Sequence, residues 1–477
     1  MKVSIRNMGV IKEAQIDLKP FTVFIGPNNA GKTWLAYALV GILGQYGLEK
    51  YTSAYINRSI SDKYPLLDKA IEQVLDKGSA KIDLVRFAND YSEAYLNNIA
   101  RFARQWMGRF LGTTRAKFDQ LDISFELEKT KIFLLEEIPR IALQSNIAIG
   151  TRNQSPLLTI RKKQGDNILF IFTSTEGQPS GALPDETISE RIARTIFRVI
   201  HEALYPNIYP FPIERSSLSL LFPYSVPGVA LEALLNRLLK NDERLPQRES
   251  RETSRPIVQF LEMMRVLHES SSELDREIRA MEANSDLSVT KYMQLAQLLE
   301  GQILSGNVDF STPEPDDLER ELLFQTTEGV TLDMPVVSSM VKELTPVVLY
   351  LRYLAEPHEW LIIDEPEMNL HPEAQAKLTE FLAMLVNAGL PVLITTHSPY
   401  IVDHLTNLMR AAESTEPEAI QDKFYLQNKD AFISKNEVSV YLVDQGKTEN
   451  MLDEDGVVHW STFGTVSDRV SEIFFEL

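Results

Sequence analysis

The chain has no cysteine in 477 residues. That excludes a disulfide scaffold, a thiolate zinc site and a cysteine nucleophile. It also lacks any apolar run near the roughly 18 residues needed to span a bilayer. The opening residues, Met1-Lys2-Val3-Ser4-Ile5-Arg6, alternate like a strand and lack the apolar centre of a secretory leader. A cytoplasmic protein with no membrane contact is therefore expected. An excess of positive charge is missing too, for the formal net charge is -19. That argues against a surface basic all over, as on many constitutive DNA binders. It leaves room for a local basic groove. Arg101, Arg104, Arg109, Arg115 and Lys117 fall in a stretch without an acidic residue, although a solvated helix face or a protein contact suits them better than a nucleic-acid track.

Two motifs far apart in the chain carry the chemistry. Gly26-Pro27-Asn28-Asn29-Ala30-Gly31-Lys32-Thr33 matches the P-loop pattern at every fixed position. The apolar run Phe21, Val23, Ile25 precedes it, and an Ala- and Leu-rich helix to Leu43 follows. In that context Gly26 and Gly31 let the backbone turn its N–H groups, from Asn28 through Trp34, toward phosphates. Lys32 reaches the β- and γ-phosphates of ATP, and Thr33 is a ligand for Mg2+.

The second motif is Leu361-Ile362-Ile363-Asp364-Glu365-Pro366, followed by Ile394-Thr395-Thr396-His397-Ser398. The apolar residues before Asp364 read as a buried parallel strand, with Asp364 at its C-terminal end as the second metal ligand. Glu365, one residue on, is the expected general base for water. His397 lies just after another buried strand, Val392-Leu393-Ile394-Thr395, and is placed to bond the γ-phosphate or the attacking water. His371 opens the helix that starts at Pro372 and is expected to meet a neighbouring subunit.

Between these motifs the pattern changes several times. Residues 50–118 read as helical, with Leu84, Phe87, Tyr91, Tyr95, Phe102, Trp106 and Phe110 as a core stripe. Residues 121–174 change period, with strands at Ile123–Leu127, Leu157–Ile160 and Ile168–Phe172 and a turn at Gly165-Asp166-Asn167. Helix returns at 189–204, and a strand at Asn207 to Ile213 ends at Glu214-Arg215. Residues 216–303 read as a charged helical arm without the long heptad run of a coiled coil. Val308 to Asp333 reads as a strand pair with turns at Pro313-Glu314-Pro315 and Glu328-Gly329, and a short mixed tail follows His397. The expected division is 1–215 with an insertion at 50–118, the arm at 216–303, and 304–477.

These motifs, with Ile5-Arg6-Asn7-Met8-Gly9-Val10-Ile11, resemble the ABC-type AAA ATPases grouped with the OLD, RecF and SMC heads. The resemblance covers roughly residues 1–45 and 330–405. It implies an α/β head with a mixed and a parallel sheet plus helical insertions. It further implies that two heads sandwich ATP, so that the chain pairs with itself as a dimer or a higher oligomer. The signature segment would be Val337-Ser338-Ser339-Met340-Val341-Lys342-Glu343. There Ser338 or Ser339 caps a helix and donates to the partner's γ-phosphate. Ser339 and Met340 stand where this family usually has glycines. Glu214-Arg215 falls near the position of the Q-loop, as a sensor of magnesium or nucleotide or as a structural ion pair.

OLD-type nucleases carry an acidic metal-binding domain after the ATPase. Asp453-Glu454-Asp455 precedes Gly456 and reads as a turn, so no nuclease is inferred. The architecture is similar to the ATPase subunits of bacterial anti-phage defence systems of the Septu and PARIS kinds, which act with a separate effector. The alternatives are a DNA repair or recombination ATPase that clamps DNA, and a regulatory ATPase unrelated to DNA.

Overall fold

The structure is a computed structural model. It describes residues 1–147, 157–173, 183–205, 207–221, 254–270, 279–283, 286–311, 320–458 and 472–473. Most of the charged stretch from Asn236 to Arg255, and the turn at Pro313-Glu314-Pro315, lie outside the described residues. The chain divides into two compact units, one of residues 1–8, 41–107 and 118–207, the other of 9–40, 108–117 and 208–477.

In the first unit, β1 (Lys2–Met8) runs antiparallel to β5 (Asp122–Glu126), with Lys2 opposite Glu126 and Arg6 opposite Asp122. Opposite charges facing each other across the pair favour this register. A second antiparallel sheet has the order β4 (Ser79–Asp83), β8 (Ile168–Thr173), β7 (Leu158–Lys162), β6 (Leu143–Ile147). Helices Gln45–Ile56, Pro65–Lys77, Leu84–Phe102 and Asp185–Leu204 supply much of the unit's core, and helix Glu128–Glu137 adds Leu134. Tyr51, Tyr64, Tyr95 and Phe197 meet there, and the rings of Tyr95 and Phe197 stack at 5.1 Å. The stripe expected at 84–110 is largely buried, including Leu84, Phe87, Tyr95, Trp106 and Phe110. The expectation of helix throughout 50–118 missed β4. Gly78, in the left-handed region at φ 72°, ends the preceding helix, and Ala80 and Ile82 then alternate inward as a strand requires.

The second unit holds seven strands of the large mixed sheet. Their order is β2 (Ile11–Asp17), β16 (Lys447–Asn450), β15 (Val438–Asp444), β3 (Phe21–Ile25), β14 (Val392–Thr396), β13 (Trp360–Asp364), β9 (Ile208–Phe211). From β15 to β9 all neighbours are parallel. Every residue of β3, β13 and β14 is buried, as expected of parallel strands covered on both faces. Helices Ser339–Tyr353, Pro372–Asn387 and Pro399–Ala412 contribute to the same hydrophobic core. The expected strand pair at 308–333 is a three-stranded antiparallel sheet of β10 (Gly306–Phe310), β11 (Leu322–Thr326) and β12 (Thr331–Asp333). The tail is more than a short appendage, because β15 lies directly beside β3. No helix among the described residues is long and apolar enough to cross a membrane.

Candidate functional site

The site grows from the C-terminal ends of β3, β13 and β14, where a parallel sheet leaves a crevice. β3 stops at Ile25, and Gly26 turns the chain with φ 140°. A Cβ on Gly26 would lie 2.3 Å from the carbonyl oxygen of Val443 in β15, so only glycine fits. Gly31, at φ 102°, is pressed in the same way, with the Ile11 and Val10 side chains 2.6 and 2.8 Å from where a Cβ would stand. Between them Pro27, Asn28 and Asn29 are exposed and Ala30 is half-buried. The helix Lys32–Leu43 then begins.

Lys32 is buried beneath this loop, and its Nζ donates to the carbonyls of Gly26 at 2.9 Å and Pro27 at 3.0 Å. Burial lowers its pKa, against the opposing pull of Glu365, Asp364 and Glu367. Thr33 Oγ1 donates to the carboxylate of Asp364, 3.0 Å from Oδ1 and 3.1 Å from Oδ2. Asp364 closes β13 and is 2% exposed. Its pKa is raised by burial, while bonds from Thr395 and Thr33 act in the other direction. Trp34 lays its indole on Gly9, where a Cβ would come within 1.9 Å of the ring.

Glu365 is a non-glycine residue in the left-handed region, at φ 45°. Such a conformation costs on the order of 1–2 kcal/mol and persists only when neighbours enforce it. Here its N–H donates to the carbonyl of Thr395 at 3.1 Å. Its own carbonyl accepts from Arg215 Nη2 at 3.0 Å, and the carbonyl of Asp364 accepts from Arg215 Nη1 at 2.6 Å. The Glu365 carboxylate, turned out of the strand by this geometry, lies 3.3 Å from Nδ1 of His397. Burial raises its pKa, opposed first by His397. His397 itself is held through its backbone N–H, which donates to Glu367 Oε1 at 3.0 Å. Thr396 donates to the same oxygen at 2.6 Å.

Arg215 is fully buried, and its Nε lies 3.0 Å from Glu343 Oε2, both side chains 1% exposed. Glu343 belongs to helix Ser339–Tyr353, whose N-cap is Ser338, with Val341 N–H donating to Ser338 Oγ at 3.3 Å. Asn369 donates to the other oxygen of Glu343 at 3.3 Å. One buried pair thus ties the helix that starts at Ser339 to the turn that aims Glu365.

The structure brings together five of the residues singled out from the sequence: Lys32, Thr33, Asp364, Glu365 and His397. Ser338 and Ser339 are exposed at a helix N-terminus, and among the described residues no hydrogen bond joins them to the P-loop. His371 caps helix Pro372–Asn387, its Nδ1 accepting from Glu373 N–H at 3.4 Å. Sequence reasoning weighed Arg215 but missed Glu343, Thr395 and Glu367. The run of Thr395 and Thr396 at the end of a buried apolar strand was the available signal, because buried hydroxyls need partners.

Two matches to family models bear on this geometry. Residues 1–154 match a model described as an AAA ATPase domain. Residues 232–403 match one described as an AAA domain, putative AbiEii toxin, type IV TA system. By these matches the chain is an AAA-type ATPase. No curated relative matches the ATPase. Among solved structures it is similar to an Smc head domain with an extended coiled coil from Pyrococcus furiosus, at 12% identity over 99% of this chain and 98% of that one, with a TM-score of 0.36. It is also similar to the SMC head domain from Thermotoga maritima, at 10% identity over 84% and 90%, with a TM-score of 0.27. Likenesses at these scores carry no detail over to the ATPase.

AAA ATPases generally use Mg2+, and the donor set of this ATPase suits it. The Thr33 hydroxyl and the Asp364 carboxylate are hard oxygen donors already within 3.1 Å of each other. Mg2+ takes one or two protein oxygens and completes its shell with phosphate and water. Among the described residues no cluster of three or more His, Asp or Glu could hold a metal alone.

Proposed function

We propose that the chain hydrolyses ATP between two copies of itself and uses the cycle to control a separate effector in bacterial anti-phage defence. The hydrolytic part rests above all on one observation. Glu365 is forced out of its strand beside His397, while its neighbour Asp364 turns back to Thr33 of the P-loop.

In this reading the Lys32 ammonium exchanges the carbonyls of Gly26 and Pro27 for the β- and γ-phosphates. The N–H groups from Asn28 to Trp34 face the same phosphates, aided by the positive end of the helix. Thr33 and Asp364 would hold Mg2+, which when bound offsets phosphate charge. Glu365 orients water in line with the γ-phosphate and takes its proton. His397 bonds the γ-phosphate and keeps Glu365 in place. Arg215 fixes the backbone on both sides of Glu365, a positioning role. The helix N-terminus at Ser338 and Ser339 addresses the γ-phosphate of the partner subunit, which makes the dimer the active unit.

The description attached to residues 232–403 names a putative toxin of a type IV system, and this supports the defence reading. The helical segments at 50–118 and 216–303 are the proposed contact surface for the effector. Glu365→Gln tests the hydrolytic core. It should bind ATP normally and lose turnover by about 10²-fold or more. Normal turnover in that variant would remove Glu365 from the mechanism. Loss of the defence phenotype in the same variant, with the effector still bound, would tie the cycle to the effector.

A further inference from the structure

The first unit contains a polar cavity of about 540 Å3 that the hydrolytic reading leaves unused. Its walls come from the segment 57–64 and from the end of helix Leu84–Phe102 with the turn after it. Three arginines line it: Arg58, Arg101 and Arg104. None of them makes an ion pair among the described residues. Elsewhere in this unit Arg86, Arg140, Arg194 and Arg198 each pair with a carboxylate three or four residues away on the same segment. Among the described residues no carboxylate pairs with these three guanidinium groups, and Arg104 Nε donates instead to the Arg101 carbonyl at 3.1 Å.

Arg58 adds a second, independent observation. Helix Gln45–Ile56 ends with Arg58 N–H donating to the carbonyl of Tyr55 at 3.1 Å and Ser59 N–H to that of Ala54 at 2.9 Å. This is the Schellman pattern, and Arg58 occupies its left-handed position at φ 53°. Glycine is the usual occupant there, because a side chain is strained at that φ. An arginine at this position works against stability and places a guanidinium at the cavity.

Asp62 and Asn98, which line the cavity, are held by the buried phenols of Tyr51 and Tyr64 behind them. The phenols of Tyr51 and Tyr64 lie 2.7 Å apart, Asn98 Nδ2 donates to Tyr64 at 3.1 Å, and Tyr51 donates to Asp62 Oδ2 at 3.0 Å. The remaining oxygen of Asp62 accepts no hydrogen bond among the described residues. Phe102 offers a half-buried ring. Planar guanidinium forks suit phosphate oxygens, an aromatic ring suits a base, and a free carboxylate oxygen suits an N–H or a hydroxyl. The volume lies within the range of small-ligand sites. Bare inorganic anions would leave Asp62 opposed and Phe102 unused.

We infer that this cavity binds a nucleoside phosphate, separate from the ATP held by the P-loop. The source is a free nucleotide or a nucleotide within a nucleic-acid strand. The test uses full-length protein carrying Lys32→Ala, so that nucleotide at the P-loop does not obscure the result. Fluorescence anisotropy is read with labelled AMP and, separately, with a labelled short single-stranded oligonucleotide. One or both should bind, and Arg58→Gly or Arg101→Ala should weaken that binding by about tenfold or more. Arg58→Gly should do so without lowering the melting temperature, which separates loss of a ligand from loss of fold. Arg86→Ala, an ion-paired control, should leave binding unchanged. Binding of AMP points to a free nucleotide, and binding of the strand alone points to nucleic acid; both support the site. Absence of binding by either probe, equal binding by the arginine variants, or displacement by an equal concentration of inorganic phosphate would overturn it.

Discussion

Two lysines, one in each compact unit, are buried in nearly the same way. Lys162 donates to the carbonyls of Pro139, Ile141 and Lys163, and Lys32 to those of Gly26 and Pro27. Burial lowers the pKa of both. The difference lies in what else each one faces. Lys162 sees one carboxylate, Asp166, whereas Lys32 sees Glu365, Asp364 and Glu367. The carbonyls around Lys32 also belong to a loop held open by two glycines in the left-handed region. On the proposed mechanism a buried cation with backbone partners is thus a structural plug in one setting and an exchangeable phosphate ligand in the other. Local hydrogen bonds do not distinguish the two, and the charges beyond them do.

The sharpest way to break this comparison is to remove each ammonium in turn. Lys32→Ala should abolish ATP binding in a calorimetric titration. Lys162→Met should leave binding and turnover intact and lower stability by about 1–3 kcal/mol, because it strands buried carbonyls. Loss of ATP binding in Lys162→Met would erase the distinction.

A second test exchanges the buried pair beside the site. Arg215→Met leaves Glu343 as an unpaired buried charge and should cost about 3–5 kcal/mol in denaturant melts. The double variant Arg215→Met with Glu343→Leu should regain most of that stability. It should not regain kcat, because nothing then holds the carbonyls of Asp364 and Glu365. Full recovery of kcat in the double variant would reduce Arg215 to a structural residue.

The pH profile of kcat/KM refines the contrast further, since it reports groups of the free enzyme. As the proposed base Glu365 must be ionised, and burial raises its pKa. Activity should therefore fall with acid through a midpoint above the ordinary glutamate value. Lys32 must be charged, and its pKa is lowered, so the alkaline limb should begin below the ordinary lysine value. An acid limb at the ordinary carboxylate value would contradict the assignment of Glu365.

The smallest effect is expected at Ser338. Ser338→Ala should cost about 1 kcal/mol as a lost helix cap. In a Glu365→Gln background it should also weaken the proposed ATP-dependent dimer, as read by light scattering. An unchanged dimer would leave Ser338 a cap and nothing more.

What the sequence made legible follows a physical division. The P-loop, the strand before Asp364 and the strand before His397 are contiguous patterns, and each forms where the pattern lies. The helix after Ser338 was readable for the same reason, as a cap followed by apolar periodicity. Whatever depends on distant partners was not readable. Glu343 is 128 residues from Arg215, and neither residue announces the other. The strand Val438–Asp444 reads as a short apolar run, and only the packed sheet decides that it belongs beside Phe21–Ile25. The strand Ser79–Asp83 was lost inside a helical stretch because five residues carry too little periodicity to stand out.

The packing of Gly26 against Val443 has a consequence for biosynthesis. The P-loop is made several hundred residues before 392–396 and 438–444, and its strand gains its neighbours only once those segments have been made. At about 5–20 residues per second, that is a wait on the order of tens of seconds. Through that interval the nascent chain carries a nucleotide motif without a nucleotide site. A truncated product that stops before β14 would be unable to compete with finished molecules for ATP.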